Sequence, residues 1–461
     1  MKISIIGSGF SGMMTAIQCI EQCTGSLEII IFEESGNFSG GIAYNPYSER
    51  HILNVVCSKM SAFPDKPNHF LDWIMQKDSF RDKDITIVAN AFLPRTWYGE
   101  YLQDIWNNSL QKAKDKKLTI SLYQDRVTDL SPNEQDVQII CASGNTYHAD
   151  YCVLATGNLL PGDPKIKNPD FYKSHFYYKN PWQKESVLDL DTKLPVLIIG
   201  NGLTMVDTIL GLLEAGFKGE MISISPNGFN ILPHRHNGLS YHKLKEELAL
   251  PIALRDLVQL VHRHIKTVRE FGVSAEPVID SLRPFTQTLW QGFSSEEKQL
   301  FMRRLRHLWG VARHRIPVHT HDKIQQLRIE GRLQIYSGKI IDMQAIENFA
   351  QVEFYDKTRK EIRKVDVQRI INCSGPETHL DKIPNHFLSR MKQKGWIKQD
   401  ELNLGIEVNT ENFRTIHATN MENKRIYALG LLLKGKLWES TAVNEIRAQA
   451  QSLTRILLNQ S

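Results

Sequence analysis

The stretch Lys2-Ile-Ser-Ile-Ile-Gly-Ser-Gly-Phe-Ser-Gly12 decides the fold of the first part of the chain. A short apolar strand leads directly into a G-x-G-x-x-G turn, and a helical stretch follows from Met13 to about Cys23. A second apolar strand, 27–32, then ends at Glu33. Strand, glycine-rich turn, helix, strand and acid, in this order, are typical of a dinucleotide-binding βαβ unit. The sequence therefore predicts a bound dinucleotide rather than a glycine-rich turn without a ligand.

Each residue type in this motif has a physical role. Gly7 permits the tight turn, Gly9 lets a pyrophosphate approach the backbone, and Gly12 lets the helix pack close to the strand. The helix amino terminus offers free N–H groups and partial positive charge to a diphosphate, and the acid at the second strand end suits a ribose hydroxyl. The predicted cofactor-binding residues of this unit are Gly7, Gly9, Phe10, Ser11, Gly12, Glu33 and Glu34.

Composition excludes several classes of protein. At about 150 residues per domain, the 461 residues predict two to four domains. Lys and Arg total 56 against 51 Asp and Glu, and a net charge of +5 is too small to indicate a nucleic-acid-binding protein. The six cysteines include no C-x-x-C pair, so we expect neither a zinc site nor a redox dithiol, and a reducing cytoplasm is favoured. The apolar runs fall far short of the roughly 20 residues of a membrane span.

An internal repeat predicts two similar nucleotide-binding domains. The segments 118–157 and 333–375 each contain short alternating strands that lead to an apolar strand and a small-residue turn before glycine. A second strand-turn-helix opens at Val196-Leu-Ile-Ile-Gly-Asn-Gly202. We therefore predict an α/β fold with two Rossmann-like domains. Their expected ranges are 1–165 with 377–461 for the first domain, and 192–376 for the second, which carries a helical insertion at about 241–315.

The second glycine motif is looser than the first. Met205 stands where a third glycine would fall, and the next strand ends at Ser225-Pro226-Asn227-Gly228. An acid there would suit the 2′-hydroxyl of NAD, and an arginine would suit the 2′-phosphate of NADP, but the strand end has neither. Arg235 is a candidate for that phosphate, so NADP is preferred and NAD stays open. The predicted contacts of this motif are Gly200, Gly202, Leu203 and Thr204.

The helical insertion carries a basic run, Arg303-Arg304-Leu305-Arg306-His307, followed by Arg313-His314-Arg315. One interpretation is a solvated helix face. The other is a cluster that binds an NADP phosphate or a carboxylate substrate, with Arg313 and Arg315 as the candidate contacts. Within the insertion, the apolar residues at helical spacing are Leu254, Leu257, Val258, Val261 and Ile265.

Taken together, these motifs resemble a bacterial FAD/NAD(P)-binding oxidoreductase family whose layout is similar to that of the flavin-dependent N-hydroxylating monooxygenases. The resemblance covers essentially the whole chain. It is carried by Gly7–Gly12, Gly40-Gly-Ile-Ala-Tyr44, His51-Ile-Leu-Asn54, Lys59–Asp65, His69-Phe-Leu71, Pro94-Arg95, Tyr98-Gly99, Gly202–Asp207, Leu282-Arg-Pro284, Trp290, His307-Leu-Trp309, Arg313-His-Arg315 and Trp438–Val443.

The resemblance implies FAD in the first domain and NADP or NAD in the second. A loop at 434–436 and the helix from about Ala442 to Leu458 would direct N–H groups and a helix dipole toward an electron-rich flavin edge. Two departures stand out: Pro226-Asn227 replaces a basic pair, and Leu431 replaces the expected residue after Gly430. The further implied FAD contacts are Asn54, Met60, Ser61, Val127, Thr156, Gly157, Gly430, Trp438, Ser440, Thr441 and Ala442.

Three functions remain open at this point. The leading hypothesis is a monooxygenase in which NAD(P)H reduces the flavin and a flavin hydroperoxide hydroxylates a small amine or similar nucleophile. The second is a reductase or dehydrogenase without oxygenation, and the third is a flavin-binding regulatory or host-interacting protein with little turnover. No catalytic residue is assigned, and the oligomeric state stays open. The candidates for proton handling, each more typical of a surface or structural histidine, are His234, His236, His307 and His314.

Overall fold

The computed structural model describes residues 1–235 and 239–460. The strands are β1 Lys2–Ile6, β2 Glu28–Phe32, β3 Thr119–Tyr123, β4 Val127–Pro132, β5 Val137–Cys141, β6 Thr146–Ala149, β7 Tyr151–Leu154, β8 Tyr177–Tyr178, β9 Val196–Ile199, β10 Met221–Ser225, β11 Leu333–Ile346, β12 Phe349–Asp356, β13 Glu361–Val367, β14 Arg369–Asn372, β15 Arg414–Ile416 and β16 Glu422–Ala428.

The helices are α1 Phe10–Gln22, α2 Gly41–Tyr44, α3 His69–Met75, α4 Ile85–Ala89, α5 Arg95–Asp115, α6 Leu203–Glu214, α7 Lys243–Glu247, α8 Leu254–Glu270, α9 Glu276–Ser281, α10 Thr286–Gly292, α11 Ser295–Arg304, α12 Arg306–Arg313, α13 Val318–Ile329, α14 Phe387–Gln393, α15 Lys434–Leu437 and α16 Val443–Leu458. Short 3₁₀ turns lie at Cys57–Lys59, Pro169–Lys173, Lys184–Val187, Arg283–Phe285, Leu380–Lys382 and Gly430–Leu433.

The chain forms two compact units, and both are discontinuous in sequence. The first contains Met1–Pro46, Val55–Leu159 and the chain from Glu377 onward, and the second contains Tyr47–Asn54 and Leu160–Pro376. Each unit has a mainly parallel sheet with helices connecting its strands. The predicted α/β fold class is therefore confirmed, while the assignment of one nucleotide to each unit stays a prediction.

The sheet of the first unit has the order β15-β16-β7-β1-β2-β3. Its pairs are parallel except β15 with β16, which is antiparallel. Ile3 and Ile5 of the central strand β1 are fully buried, as expected where helices cover both faces of a parallel sheet. Helix α1 follows β1 and packs against α16 and α5. A separate antiparallel sheet, β4-β5-β6, supplies the meander that the sequence predicts.

The sheet of the second unit has the order β13-β12-β11-β10-β9-β14-β8. Its strands are parallel from β11 to β8, whereas β11, β12 and β13 pair antiparallel. The sequence predicts two strands where the structure has the single strand β11. Gly338 makes that continuity possible, because a Cβ there would lie 2.8 Å from the Tyr355 carbonyl oxygen of the paired strand.

Two details of the helical prediction are wrong. Helix α8 buries Leu254, Leu257, Leu260, His264 and Val268, whereas Val258 is 40% exposed. The buried face of α8 thus includes His264, whose Nδ1 lies 2.6 Å from the Tyr241 hydroxyl. Because this residue is polar, a pattern of apolar residues alone does not predict the buried face. The loop expected at 434–436 is instead the short helix α15.

Candidate functional site

The carboxyl ends of the strands in the first unit bring its predicted cofactor residues to one edge of the sheet. The chain leaves β1 for β2 on one side, while β7 pairs with β1 on the other side. Ligands of open parallel sheets bind at such a reversal of strand order. Gly7 follows β1, Thr156 and Gly157 follow β7, and Gly430 follows β16. This edge is the candidate flavin site.

The three motif glycines differ in what surrounds them. Gly7 has φ +95°, and a Cβ there would lie 2.6 Å from the Ala155 carbonyl oxygen. A Cβ on Gly12 would overlap the Gly7 carbonyl oxygen, so helix and turn pack in direct contact. At Gly9 the nearest atom to a Cβ is the Gly41 Cα, 3.9 Å away. The backbone at Gly9 is therefore open on the side from which a pyrophosphate would approach.

The amino terminus of α1 has the features of an anion site. Its N-cap is Gly9, no side chain caps the free N–H groups, and the first turn contains no acidic residue. Glu33 at the end of β2 accepts hydrogen bonds from the Ser8 backbone nitrogen at 3.0 Å and from the Ser35 hydroxyl at 2.8 Å. These bonds fix the carboxylate beside the turn. Glu34 is exposed, with a carboxylate oxygen 3.5 Å from Nε of Arg126.

Several buried polar atoms near this edge have no hydrogen-bond partner among the described residues. They are the hydroxyls of Thr156 and Ser440, Oδ1 of Asn444 and Oε2 of Glu445. A buried polar atom without a partner costs about 1–3 kcal/mol, so native proteins rarely keep several together. Thr156 follows β7, Ser440 lies in the loop before α16, and Asn444 and Glu445 lie in the first turn of α16. The residues present thus fit a polar ligand with many acceptors and donors, as FAD is.

The segment before α16 has strained backbone. Trp438 is buried and has φ +61° and ψ −60°, and the Glu439 nitrogen donates to the Leu437 carbonyl oxygen at 2.7 Å, which closes a γ-turn. This turn is rare and unfavourable for a residue with a side chain, and such strain clusters at ligand sites. Helix α16 has Ala442 as its N-cap without a side-chain cap, so N–H groups are free there, although Glu445 lies in its first turn.

Gly430 links the end of β16 to α1 and α16. It has φ +71°, and a Cβ there would lie 2.8 Å from the Ser11 hydroxyl oxygen. Its nitrogen donates to Oε1 of Gln449 at 2.8 Å. Leu431, which departs from the residue that the resemblance implies after this glycine, lies in a 3₁₀ turn. The glycine thus sets the approach of the two helices at the candidate site.

Met60 and Ser61 lie in the first unit beside buried aromatic residues. Met60 is buried, and the Ser61 carbonyl oxygen accepts a hydrogen bond from Arg447 of α16 at 2.5 Å. Nearby, the hydroxyl of the fully buried Tyr98 has no partner among the described residues, and burial raises its pKa well above the usual value. Tyr98 therefore stays a neutral phenol. Val127 is the buried first residue of β4, and Thr441 is exposed.

Asn54 is not in the same unit as the other residues predicted for FAD. The structure assigns it to the second unit, where its carbonyl oxygen accepts a hydrogen bond from Nε2 of His234 at 3.0 Å. The whole segment Tyr47–Asn54 belongs to this unit, which the sequence did not indicate. A glycine in the middle of a helix, Gly211 of α6, is the sequence feature that indicates a close contact there. A Cβ on Gly211 would lie 2.6 Å from the Tyr47 hydroxyl. His51 is fully buried, with Nε2 3.0 Å from the Asp207 carbonyl oxygen.

The second glycine motif is built like the first, without its third glycine. Gly200 has φ +102°, and its Cβ would lie 2.5 Å from the Cys373 carbonyl oxygen, whereas nothing lies within 4 Å of a Cβ at Gly202. Leu203 and Thr204 form the first turn of α6, which has no side-chain cap and no acid. Met205 is 1% exposed and packs in the core. The open side at Gly202 and the uncapped helix leave room for a second pyrophosphate.

The three arginines predicted to contact an anion lie in different environments. Arg315 is 4% exposed and bonds both oxygens of Asp280 at 2.8 and 3.0 Å, and it also pairs with Glu276. These internal carboxylates occupy its guanidinium, so the structure gives Arg315 a role in holding α9 and not a free site for an anion. Arg235 is exposed, and Arg313 is half-buried.

Two of the histidine candidates lie at the surface. His307 and His314 are exposed. His236 lies outside the described residues.

The described residues contain neither a membrane-spanning helix nor a group suited to a metal ion. None of the helices there is long and apolar enough to cross a bilayer. No group of three or more His, Cys, Asp or Glu side chains there is arranged to hold a metal ion.

Comparison with known proteins supports the same cofactor class. Residues 4–159 match a protein family described as FAD-NAD(P)-binding. An uncharacterized protein of Escherichia coli K12, YdhS, is 26% identical over 222 residues, and this match spans 46% of the present chain and 39% of YdhS. The prediction of FAD with NADP or NAD as cofactors, and the resemblance to a FAD/NAD(P)-binding family, are thereby confirmed at the level of the family description.

Solved structures share the fold over the full chain. The ornithine N-hydroxylase KtzI of Kutzneria sp. 744, described with reduced FAD, NADP⁺ and L-ornithine, has a TM-score of 0.64 at 13% identity and covers 100% of this chain and 99% of its own. The bacillithiol disulfide reductase Bdr of Bacillus cereus has a TM-score of 0.56 at 12% identity, with 100% of both chains covered. The chain thus has the fold of FAD- and NAD(P)-dependent oxidoreductases, and that fold serves more than one chemistry.

Proposed function

We propose that this protein is an FAD-dependent monooxygenase that takes hydride from NAD(P)H and hydroxylates a small amine or similar soft nucleophile. The open glycine edge, the uncapped amino terminus of α1 and the buried polar atoms without partners support FAD binding in the first unit. The second open motif, at Gly200 and Gly202, supports binding of the nicotinamide nucleotide in the second unit. The similarity to an ornithine N-hydroxylase suggests the substrate class.

The burial and protonation of the cysteine thiols favour N-hydroxylation over disulfide reduction. All six cysteines are free and buried, and burial raises the pKa of Cys57, Cys141 and Cys152 of the first unit to about 12. Disulfide exchange needs a thiolate, and a thiol with such a pKa is protonated near neutral pH. These three thiols are therefore unsuited to the chemistry of the disulfide reductases that share this fold.

The residues of this chain would position the cofactor and stabilise its negative charge. When bound, FAD supplies the transfer of electrons from the nicotinamide to oxygen. The N–H groups at the start of α1 would stabilise negative charge on the diphosphate, and the Glu33 carboxylate would accept a hydrogen bond from a ribose hydroxyl. The N–H groups at the start of α16 would favour negative charge on the flavin ring, although the carboxylate of Glu445 in the same turn would oppose this effect. The overall reaction balances as NAD(P)H, oxygen, amine and a proton giving NAD(P)⁺, hydroxylamine and water.

The test is a turnover measurement on the FAD-loaded protein. It is reduced with NADPH or NADH under nitrogen, then mixed with oxygen and a panel of small amines, while hydroxylamine product and hydrogen peroxide are both quantified. Amine-dependent hydroxylamine with little peroxide supports the proposal. Peroxide as the sole product with every amine would favour the reductase or dehydrogenase alternative, and a flavin that neither nucleotide reduces would favour a regulatory protein.

The Cys57→Ala variant is the matched control for the thiol argument. Because the Cys57 thiol is buried and protonated, its removal is expected to leave flavin reduction and product formation within about twofold of wild type. Complete loss of turnover in a variant that keeps its FAD would show that a thiol takes part, and the proposed chemistry would then be wrong.

A further inference from the structure

The positive charge of the chain is concentrated in the helical insertion of the second unit. Residues 241–315 contain thirteen Lys and Arg against eight Asp and Glu, so this segment alone accounts for the net charge of +5 that the whole chain carries. Within it begins a stretch, from Lys298 to His321, that has six Lys and Arg and no acidic residue. Most of α11 and all of α12 lie in this stretch. The surplus charge of the protein is therefore local to one pair of helices and the chain after them.

Helices α11 and α12 form one continuous face. Leu305, the residue between them, donates its N–H to the carbonyl four positions earlier and accepts from the N–H four positions later, both at 2.8 Å. Because helical hydrogen bonds continue through this residue, positions four apart lie in one row along both helices. One row contains Leu300, Arg304 and Leu308, and Arg303 lies in the row beside it. We call these four residues, Leu300, Arg303, Arg304 and Leu308, the α11–α12 strip.

All four residues of the α11–α12 strip are exposed, with Leu300 at 43% and Leu308 at 53%. None of the residues of α12 is buried. Among the described residues, Arg303 and Arg304 form no ion pair and no side-chain hydrogen bond, whereas Arg315 of the same basic stretch is bound to Asp280. The strip thus presents leucine and arginine side chains together to solvent, and no carboxylate of the described chain neutralises the two arginines.

This combination of side chains fits an anionic lipid surface. A guanidinium binds phosphate oxygens through paired hydrogen bonds, and an exposed leucine gains free energy when it leaves water. The phosphates of a nucleic acid would satisfy the arginines but would leave the leucines in water. A bilayer with anionic headgroups satisfies both, because its phosphates lie directly above the acyl chains and long arginine side chains reach them from a helix at the interface.

We propose that the α11–α12 strip binds the surface of a bilayer that contains anionic phospholipids. The two leucines enter the interfacial layer, and Arg303 and Arg304 contact the lipid phosphates. Two leucines and two charges suit a helix that lies on a membrane and not one that crosses it. The basic run then has neither of the roles that the sequence suggests for it, which are a solvated face and a site for a nucleotide phosphate or a carboxylate substrate. This inference goes beyond the proposed function and does not depend on it.

The test is co-sedimentation of the FAD-loaded protein with vesicles. Wild type is expected to bind vesicles of phosphatidylglycerol and phosphatidylcholine at least about tenfold more tightly than vesicles of phosphatidylcholine alone, and less tightly as salt rises. The double variant Arg303→Gln, Arg304→Gln should bind the anionic vesicles about twenty-fivefold more weakly, at roughly fivefold for each charge. Leu308→Gln should weaken binding about fivefold, because the side chain no longer gains by leaving water.

The matched control removes two exposed arginines from another helix of the insertion. Arg255 and Arg269 lie on exposed positions of α8, outside the α11–α12 strip. The double variant Arg255→Gln, Arg269→Gln has the same net charge as the strip variant, and we expect it to retain most of the binding. Thermal unfolding of all variants should match wild type, because every substituted side chain is exposed.

Four results would overturn the proposal: no preference of wild type for the anionic vesicles, unchanged binding in the strip variant, an equal loss in the α8 control, or unchanged binding in Leu308→Gln. The third would show that the overall charge of the insertion attracts the vesicles. The fourth would assign the arginines to a purely anionic partner such as a nucleic acid. None of these measurements uses a nicotinamide nucleotide or an amine, so their outcome and that of the monooxygenase test are independent.

Discussion

The two glycines Gly9 and Gly12 are three residues apart, and we predict opposite effects for their replacement by alanine. A Cβ at position 12 would overlap the Gly7 carbonyl oxygen and lie 3.1 Å from Cγ2 of Ile5, whereas a Cβ at position 9 meets only the Gly41 Cα at 3.9 Å. Gly12→Ala should therefore destabilise the protein itself. Gly9→Ala should leave the empty protein intact and obstruct the pyrophosphate.

The size of the destabilisation by Gly12→Ala depends on which atoms must move to make room for the Cβ. Overpacking costs about 1–3 kcal/mol where side chains can adjust. At Gly12 the obstacles are the turn backbone and the fully buried Ile5, both held by the parallel pairing of β1, so we expect about 3 kcal/mol or more. At about 2–4 °C per kcal/mol for a domain of roughly 150–250 residues, the melting temperature should fall by about 6 °C or more. For Gly9→Ala we expect a change near zero.

The assay is thermal unfolding of the FAD-free proteins by circular dichroism, followed by titration with FAD. Gly9→Ala should melt with wild type and bind FAD at least about tenfold more weakly. A Gly12→Ala protein as stable as wild type would refute the packing argument. A Gly9→Ala protein that binds FAD as wild type does would refute the placement of the pyrophosphate at this turn.

Three further predictions concern single buried groups. Arg315→Ala should lower the free energy of urea unfolding by about 1–3 kcal/mol, because it leaves the partly exposed carboxylates of Glu276 and Asp280 without their buried partner, and the added change Asp280→Asn should recover part of the loss. Burial lowers the pKa of His386 to about 4. As the pH falls from 6.5 to 4, the imidazole of the unfolded chain takes up a proton that the folded chain does not accept, so the free energy of unfolding should decrease across this window. His386→Asn should flatten the pH dependence of unfolding there. Thr156→Val should leave the stability of the FAD-free protein unchanged or slightly higher, since the hydroxyl has no partner there, and should weaken FAD about five- to tenfold by titration.

Local pattern is sufficient for the parts of the fold that depend on neighbours in sequence. The βαβ unit around Gly7 to Gly12 and the second unit from Val196 were predictable because turn, helix and strand periodicity all agree there. The long strand β11 was not, because its continuity depends on the close approach of Tyr355 at Gly338, which only the paired strand reveals.

Contacts between distant segments were out of reach of the sequence for the same reason. Arg315 sits in a basic run that suggests a ligand, yet its partners lie on α9, 35 and 39 positions earlier. His51 belongs to a segment that the sequence associates with FAD, yet its Nε2 lies 3.0 Å from the carbonyl oxygen of Asp207, which is 156 positions later in the second unit. In both cases a side chain's role is set by which element the fold packs against it, and its sequence neighbours carry no record of that.

The division of the first unit between the two ends of the chain constrains how it is made. Strand β16 pairs with β7, and α16 packs on α1, although β16 and α16 follow the whole second unit in sequence. Until then β7 has an unpaired edge, which is the kind of strand that associates with other chains. The second unit is complete in sequence by Pro376 and can fold earlier. During synthesis the sheet of the first unit can therefore be completed only after the whole second unit has been made.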